Sequence, residues 1–203
     1  LKKNKISKNW INKQRRDIYV KQSKIEGYRS RAVYKLQEIN EKFKIFKNGI
    51  SLIDLGAAPG SWSQYAVKKI KNANILSIDL LEMKKIQNTF QIKGDFTEIN
   101  YQNQIKKYFG KKIDIVLSDM AVNTTGNKNV DSLVTGELCL EAMNFALETL
   151  KTNGQFVSKI FMGSSFNDII AEAKKNFVKV SMYKPASSRK NSKESFIICK
   201  FLR

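Results

Sequence analysis

Short apolar runs alternate with helix-periodic segments along most of this chain, and nearly every run stops at an aspartate or a glycine. Ile50–Leu55 leads into a glycine-rich turn, Gly56–Gly60, and then a helix over Trp62–Ile70. Ile75–Ile78 ends at Asp79, Phe90–Lys93 at Gly94-Asp95, and Ile113–Ser118 at Asp119. The spacing predicts helices over Ile99–Phe109 and 131–150. Gly154 opens a strand through Phe161, a helix covers about 164–176, and strands at Val178–Tyr183 and Ser195–Leu202 close the chain. Continuous apolar strands separated by helices must be buried on both faces, which a mostly parallel α/β sheet with helices on each side achieves. The two last strands, joined by a polar loop, read as a hairpin at the sheet edge. Upstream, Val33, Leu36, Ile39, Phe43 and Phe46 predict a helix within 29–47, stopped by Asn48-Gly49. Residues 1–24 read as a polar, basic arm or short helix. The 203 residues suit one domain, with no repeat or low-complexity linker dividing it. The reading is a basic N-terminal extension at 1–28 and a single α/β domain at 29–203.

Charge narrows the partner. Lys and Arg number 37 against 18 Asp and Glu, a formal net charge of +19, which points to a polyanion; the plainer account is a set of solvated lysine faces. No apolar run has the ~18–20 residues of a membrane helix, and no apolar segment follows the basic start, so neither a membrane anchor nor a signal peptide is expected. Cys139 and Cys199 stand far apart, which fits a reducing compartment and a cytoplasmic protein. The chain has no histidine. That excludes a Ser-His-Asp triad, makes a zinc site improbable, and leaves Lys, Asp, Glu, Tyr or Cys as general base.

The ligand signal is Asp54-Leu55-Gly56-Ala57-Ala58-Pro59-Gly60, between a strand and a helix. Open α/β sheets bind ligands beyond the carboxyl ends of their strands, where glycine lets backbone approach the ligand. Neither G-x-G-x-x-G nor G-x-x-x-x-G-K-[ST] is present; the spacing is D-x-G-x-x-x-G. Asp79, ending the second strand, is placed to accept both ribose hydroxyls of a nucleoside, and Asp95, ending the third, lies within reach of an adenine amino group. Each alone also reads as an ordinary turn aspartate. Acidic residues at successive strand ends favour the ligand reading.

These segments resemble the FtsJ/RrmJ (RlmE) ribosomal RNA 2′-O-methyltransferases. The likeness rests on Ser30–Leu36 (SRAVYKL), Asp54–Gln64 (DLGAAPGSWSQ), Asp79–Met83 (DLLEM), Gly94–Phe96, Leu117–Ala121 (LSDMA), Gly154–Ile160 (GQFVSKI) and Lys184–Glu194, in order over about residues 19–203. The resemblance implies a Rossmann-like class I methyltransferase fold with a seven-stranded sheet, S-adenosylmethionine as cofactor, and a uridine of large-subunit ribosomal RNA, in the peptidyl-transferase-centre region, as target. It implies a catalytic tetrad at Lys35, Asp119, Lys159 and Glu194, cofactor contacts at Gly60, Trp62, Asp79, Asp95 and Asp119, and no metal. Partners would be ribosomal RNA or the large subunit, met by a cytoplasmic monomer. Two positions depart from the family pattern: Ser61 stands where a second glycine is usual, and Val122 where proline is usual.

The chemistry suits such residues. Methyl transfer is an in-line displacement, and a ribose hydroxyl needs alignment and a proton acceptor. Lys159 interrupts the apolar run Phe156–Phe161, where a lysine costs energy unless paired or used. Lys159 is taken as the proton acceptor, Lys35 as the group orienting the hydroxyl, and Asp119 and Glu194 as holders of both lysines. Among so many lysines, Lys35 without the resemblance reads first as a structural or solvated charge, and Trp62 as a core aromatic. Lys13, Arg15, Arg16, Lys21, Lys24, Arg29 and Arg31, interleaved with Trp10, Tyr19 and Tyr28, are candidates for phosphate contact and base stacking. The alternatives are methylation of another RNA (tRNA or an mRNA cap), a non-catalytic RNA-binding assembly factor of the same fold, and a nicotinamide-dependent oxidoreductase, which the absent fingerprint disfavours.

Overall fold

The computed structural model describes residues 17–120, 128–163, 165–189 and 191–203, with the side chains of 128–131 left aside. Among them the elements run α1 (Ile18–Ile25), α2 (Val33–Phe43), β1 (Ser51–Leu55), α3 (Ser61–Lys69), β2 (Asn74–Asp79), β3 (Phe90–Lys93), α4 (Ile99–Phe109), β4 (Ile113–Ser118), α5 (Lys128–Thr149), β5 (Leu150–Phe161), α6 (Phe166–Asn176), β6 (Phe177–Tyr183) and β7 (Glu194–Leu202). Trp10, Lys13, Arg15, Arg16 and Val122 lie outside the described residues.

The seven strands form one sheet in the order β3-β2-β1-β4-β5-β7-β6. Pairing is parallel from β3 through β5, while β7 runs antiparallel to both β5 and β6. The expected mostly parallel sheet with an antiparallel edge pair is therefore present. One detail is added: β7 inserts between β5 and β6, so β6 forms the edge.

Strand periodicity builds the two faces. Successive side chains point to opposite sides, so Ile53, Val116, Phe156 and Ile197 pack under α4, α5 and α6. Their neighbours Leu52, Leu117, Val157 and Ile198 pack under α2 and α3, against Leu36, Ile39 and Tyr65. All five residues of β1 are buried, as its central place with parallel neighbours on both sides requires.

Two elements depart most from the periodicity. α2 spans less than 29–47. At its start the Arg29 amide donates to Gln64 Oε1 at 2.9 Å, which holds residue 29 outside the helix. At its end Lys44 takes φ 51°, the Phe46 amide donates to Asn40 Oδ1 at 3.0 Å, and the turn drives Ile45 into the core. β5 begins at Leu150, directly after α5, rather than at Gly154; its register against β4 breaks between the Ile113 and Ile115 pairs. α1 is capped by Asp17, whose Oδ1 accepts the Tyr19 amide at 3.1 Å, a contact worth about 1 kcal/mol. Tyr19 then rests on Tyr34, ring centroids 5.3 Å apart, which docks α1 on the domain.

Candidate active site

The carboxyl ends of β1, β2, β3 and β4 open into a cleft of about 600 Å³ lined by Gly56, Ala58, Asp79, Asp95, Phe96 and Asp119, with the exposed Leu80 and Leu81 at its lip. The turn after β1 needs glycine at two places, one in the floor and one behind it. Gly56 has φ 68°, and a Cβ there would sit 2.1 Å from Met120 Cγ; Gly60 has φ 104°, and a Cβ would sit 2.7 Å from Ile86 Cδ1. Asp79 fixes the rim: Oδ2 accepts the Ala58 amide and Oδ1 the Leu81 amide, each at 2.8 Å. Asp95 Oδ1 accepts the Thr97 amide at 2.9 Å and its hydroxyl at 2.7 Å. A carboxylate has about four acceptor sites, so both aspartates keep capacity toward the cleft.

Gly60 and Trp62 sit behind this lining. Gly60 is the N-cap of α3, and the first-turn amides of Ser61 and Trp62 have no carbonyl of their own helix to accept them. The Trp62 ring is buried against Phe196 at 5.8 Å between centroids, and its Nε1 donates to Ala32 O at 2.8 Å. Any ligand contact from Trp62 would thus run through its backbone. Ser61 is accommodated: its hydroxyl lies 2.8 Å from that of Ser30.

Beside the cleft, four ionic groups from four distant elements form one chain. Lys159, in β5, donates to Asp119 Oδ1 at 2.9 Å and to Asp119 O at 2.5 Å. Lys35, in α2, lies 3.5 Å from Asp119 Oδ2 and 2.8 Å from Glu194 Oε2. Lys159 pairs across the sheet with Phe196 and Phe161 with Glu194, which sets both charged residues on one face of the β5–β7 pair. Lys159 is 7% exposed and Glu194 8%. Burial works against the Lys35 ammonium, but the carboxylates of Asp119 and Glu194 outweigh it and lift its pKa above the ordinary lysine value. Burial likewise pushes Asp119 up, and Lys159 and Lys35 together pull it below the usual carboxylate range. Alternating signs let four charges share a poorly solvated site, whereas removing one leaves its neighbour uncompensated. Asp119 lines the cleft and bridges both lysines, which ties the ionic chain to the cleft edge.

The FtsJ-like methyltransferase family profile matches residues 28–202. The chain belongs to the FtsJ-like methyltransferase family. It is 64% identical over 203 residues to the ribosomal RNA large subunit methyltransferase E of Pelagibacter ubique (strain HTCC1062), covering 100% of both chains. It is 46% identical to the protein of the same name from Rickettsia akari (strain Hartford), over 95% of this chain and 87% of that one. Among solved structures, one described as a ribosomal RNA methyltransferase from Plasmodium falciparum matches with a TM-score of 0.79 and 34% identity, over 86% of this chain and 98% of that one. A Streptococcus mutans methyltransferase structure in complex with SAH shares the fold alone, at a TM-score of 0.54 and 16% identity over 82% of this chain and 97% of that one.

In this FtsJ-like methyltransferase several supporting residues escape a linear reading. Ser188 donates to Glu194 Oε1 at 2.8 Å and fixes that carboxylate. Glu38 accepts the Ala186 and Ser187 amides at 2.6 and 2.8 Å and the Tyr183 hydroxyl at 3.2 Å, which pins the loop before β7 to α2. Two arginines expected to meet RNA are engaged within the protein. Arg29 clamps the cleft loops, donating to Pro59 O at 3.0 Å, Lys84 O at 2.8 Å and Lys85 O at 3.0 Å. Arg31 binds Asp17 and Ser187 O. Tyr19 packs on Tyr34 and Tyr28 lies under Lys68, 4.2 Å from its ammonium. Lys21 and Lys24 are exposed on α1.

Proposed function

We propose that this chain methylates a ribose 2′-hydroxyl in large-subunit ribosomal RNA, at a uridine, with S-adenosylmethionine as methyl donor. The observation that carries the reading is the Lys159–Asp119–Lys35–Glu194 chain at the edge of a nucleoside-sized cleft. The names of the bacterial relatives support the ribosomal target. The same reading has a single copy acting in the cytoplasm; among the described residues no helix is long and apolar enough to cross a membrane.

The cleft fits the donor. Asp79 and Asp95 stand where ribose hydroxyls and an adenine amino group would donate to them, and Leu80, Leu81 and Phe96 offer apolar surface beside the base. The first-turn amides of α3 at Ser61 and Trp62 suit a carboxylate, as helix N-termini do. Gly60 leaves the backbone there bare. When bound, S-adenosylmethionine supplies a methyl group already activated by its sulfonium.

The protein's part is alignment and proton handling. Lys35 orients the hydroxyl, held by Glu194, which Ser188 holds in turn. Lys159, after releasing one proton to solvent, takes the hydroxyl proton as the oxygen becomes alkylated. Asp119 stays ionised and keeps both Nζ atoms on the reacting oxygen. The direct test is transfer of labelled methyl to undermethylated large-subunit RNA and to large subunits, followed by mapping of the modified ribose. One 2′-O-methylated uridine is expected; intact binding of RNA and cofactor without transfer would overturn the reading in favour of an assembly factor.

Asp79→Ala should weaken S-adenosylmethionine binding by about 10- to 100-fold, the loss of one or two hydrogen bonds to a charged group. Calorimetry checks the affinity and circular dichroism the fold; unchanged affinity removes Asp79 from the site. RNA contact by the basic N-terminal extension is the second expectation. Neutralising Arg15, Arg16, Lys21 and Lys24 together should weaken RNA binding and flatten its salt dependence by roughly 0.7–0.9 in log–log slope per lost phosphate contact. Cofactor affinity should hardly change, and an unaltered salt slope would clear the extension of phosphate contact.

A further inference from the structure

A second pocket, of about 280 Å³, opens on the far side of the Lys35–Glu194 pair and is lined by Ser30, Arg31, Lys35, Arg189, Ser192 and Glu194. The Lys35 charge is answered by Glu194 and Asp119. Two further guanidinium groups, Arg31 and Arg189, share Asp17 as ion-pair partner, and Glu194 acts on Arg31 from across the pocket. Asp17 Oδ1 is committed to the Tyr19 amide. Both arginines approach Oδ2: Arg31 binds it directly, while Arg189 Nε stays 3.9 Å away, an ion pair without a hydrogen bond. Arg31 is held below the usual arginine pKa, first by burial and then by the neighbouring Arg189. The pocket therefore holds an excess of positive charge that Asp17 neutralises incompletely.

A phosphodiester carries the same single charge as a carboxylate but presents two free oxygens, one for each guanidinium. A ribose 2′-hydroxyl and the 3′-phosphate sit on adjacent carbons, so a nucleotide whose hydroxyl reaches Lys35 carries a phosphate into the space next to it. We propose that Arg31 and Arg189 seat a phosphodiester of the acceptor strand beside the methylated ribose, and that Asp17 occupies this place until RNA displaces it. The proposal rests on reading the neighbouring site as an RNA methyltransferase. It makes α1 a self-complementary plug whose departure accompanies substrate entry.

The test separates charge from capping. Asparagine and serine cap a helix about as well as aspartate does, so Asp17→Asn and Asp17→Ser keep the cap and remove the competitor. Binding of a large-subunit ribosomal RNA fragment that carries the methyl-acceptor uridine is measured over a range of salt, alongside cofactor affinity and melting temperature. Both variants should bind RNA several-fold more tightly than wild type, with a salt slope steeper by about 0.7–0.9, one additional phosphate contact. Arg189→Gln should bind more weakly with a slope flatter by the same amount, and cofactor affinity should stay constant in all three. Unchanged or weaker RNA binding in both Asp17 variants, with melting temperatures near wild type, overturns the proposal and leaves Asp17 a structural tie. Methyl transfer by the wild-type chain is read separately. Its absence would count against the enzymatic reading, while the binding comparison still decides the role of Asp17.

Discussion

Replacing Lys159 by alanine is expected to slow single-turnover methyl transfer by about 10²–10⁴-fold, the usual worth of a general acid–base group. S-adenosylmethionine affinity should survive, since Lys159 stands behind Asp119 rather than in the cleft lining. Arginine should not rescue the rate, because a guanidinium stays protonated and cannot accept the hydroxyl proton. Lys159→Gln restores a hydrogen-bond donor to Asp119 without a base, and separates lost catalysis from a loosened site; melting curves on each variant check the fold. Glu194→Ala should be milder, because Glu194 contacts Lys35 and Ser188 rather than the reacting oxygen. Near-normal rates in Lys159→Arg would reduce Lys159 to a positioning charge and move proton removal to water or another residue.

The second large effect is on stability. Asp54 is the penultimate residue of β1, is 1% exposed, and accepts the Ser63 hydroxyl at 2.6 Å, which in turn lies 2.7 Å from the Ser77 hydroxyl. Burial is the main cause that raises its pKa to about 7, helped by the charges of Asp119 and Asp79 and opposed by the hydrogen bonds from Ser63. The unfolded chain holds this proton only below about 4. The folded state therefore binds it more tightly, so the stability tied to Asp54 is full below pH 4 and is lost as pH rises through 7. Between pH 5 and pH 8 the loss should be about 2–3 kcal/mol, two units of proton affinity at 1.36 kcal/mol each. Asp54→Asn should flatten that decline and exceed wild type in stability at pH 8, because an amide is never ionised there. Denaturant unfolding at pH 5 and 8 checks it, and equal pH slopes in both proteins would sink the assignment.

Residues whose role is local could be read from sequence. The strands declare themselves because each is continuously apolar, and Lys159 stands out because a charge interrupts such a run. Gly56 and Gly60 are legible from spacing, since a turn between strand and helix at a ligand edge needs bare backbone. Asp54 was visible as part of that motif, but its direction was not: it turns away from the cleft into the base of α3. Roles that depend on distant partners were hidden. Arg29 and Arg31 show their charge in sequence, whereas the carbonyls of Lys84 and Ser187 that engage them lie 55 and 156 residues away. Glu38 looks like one more solvated helix charge until the loop before β7 brings two amides onto it. The helix ends were overrun for a related reason. Phe46 continues the apolar spacing of α2, but it and Ile45 reach the core by a turn.

The insertion of β7 between β5 and β6 bears on the order in which the molecule comes together. The nucleoside cleft draws on β1 to β4 and their loops, contacts of short and middle range. The ionic chain closes only when Glu194, at the start of β7, meets Lys35, 159 residues earlier. Loop-closure entropy makes such pairings slow to form and dependent on the rest of the sheet. A folding chain can therefore complete its cleft while the four charges are still apart. The four-charge chain waits on the final strand, so this topology couples its assembly to completion of the sheet.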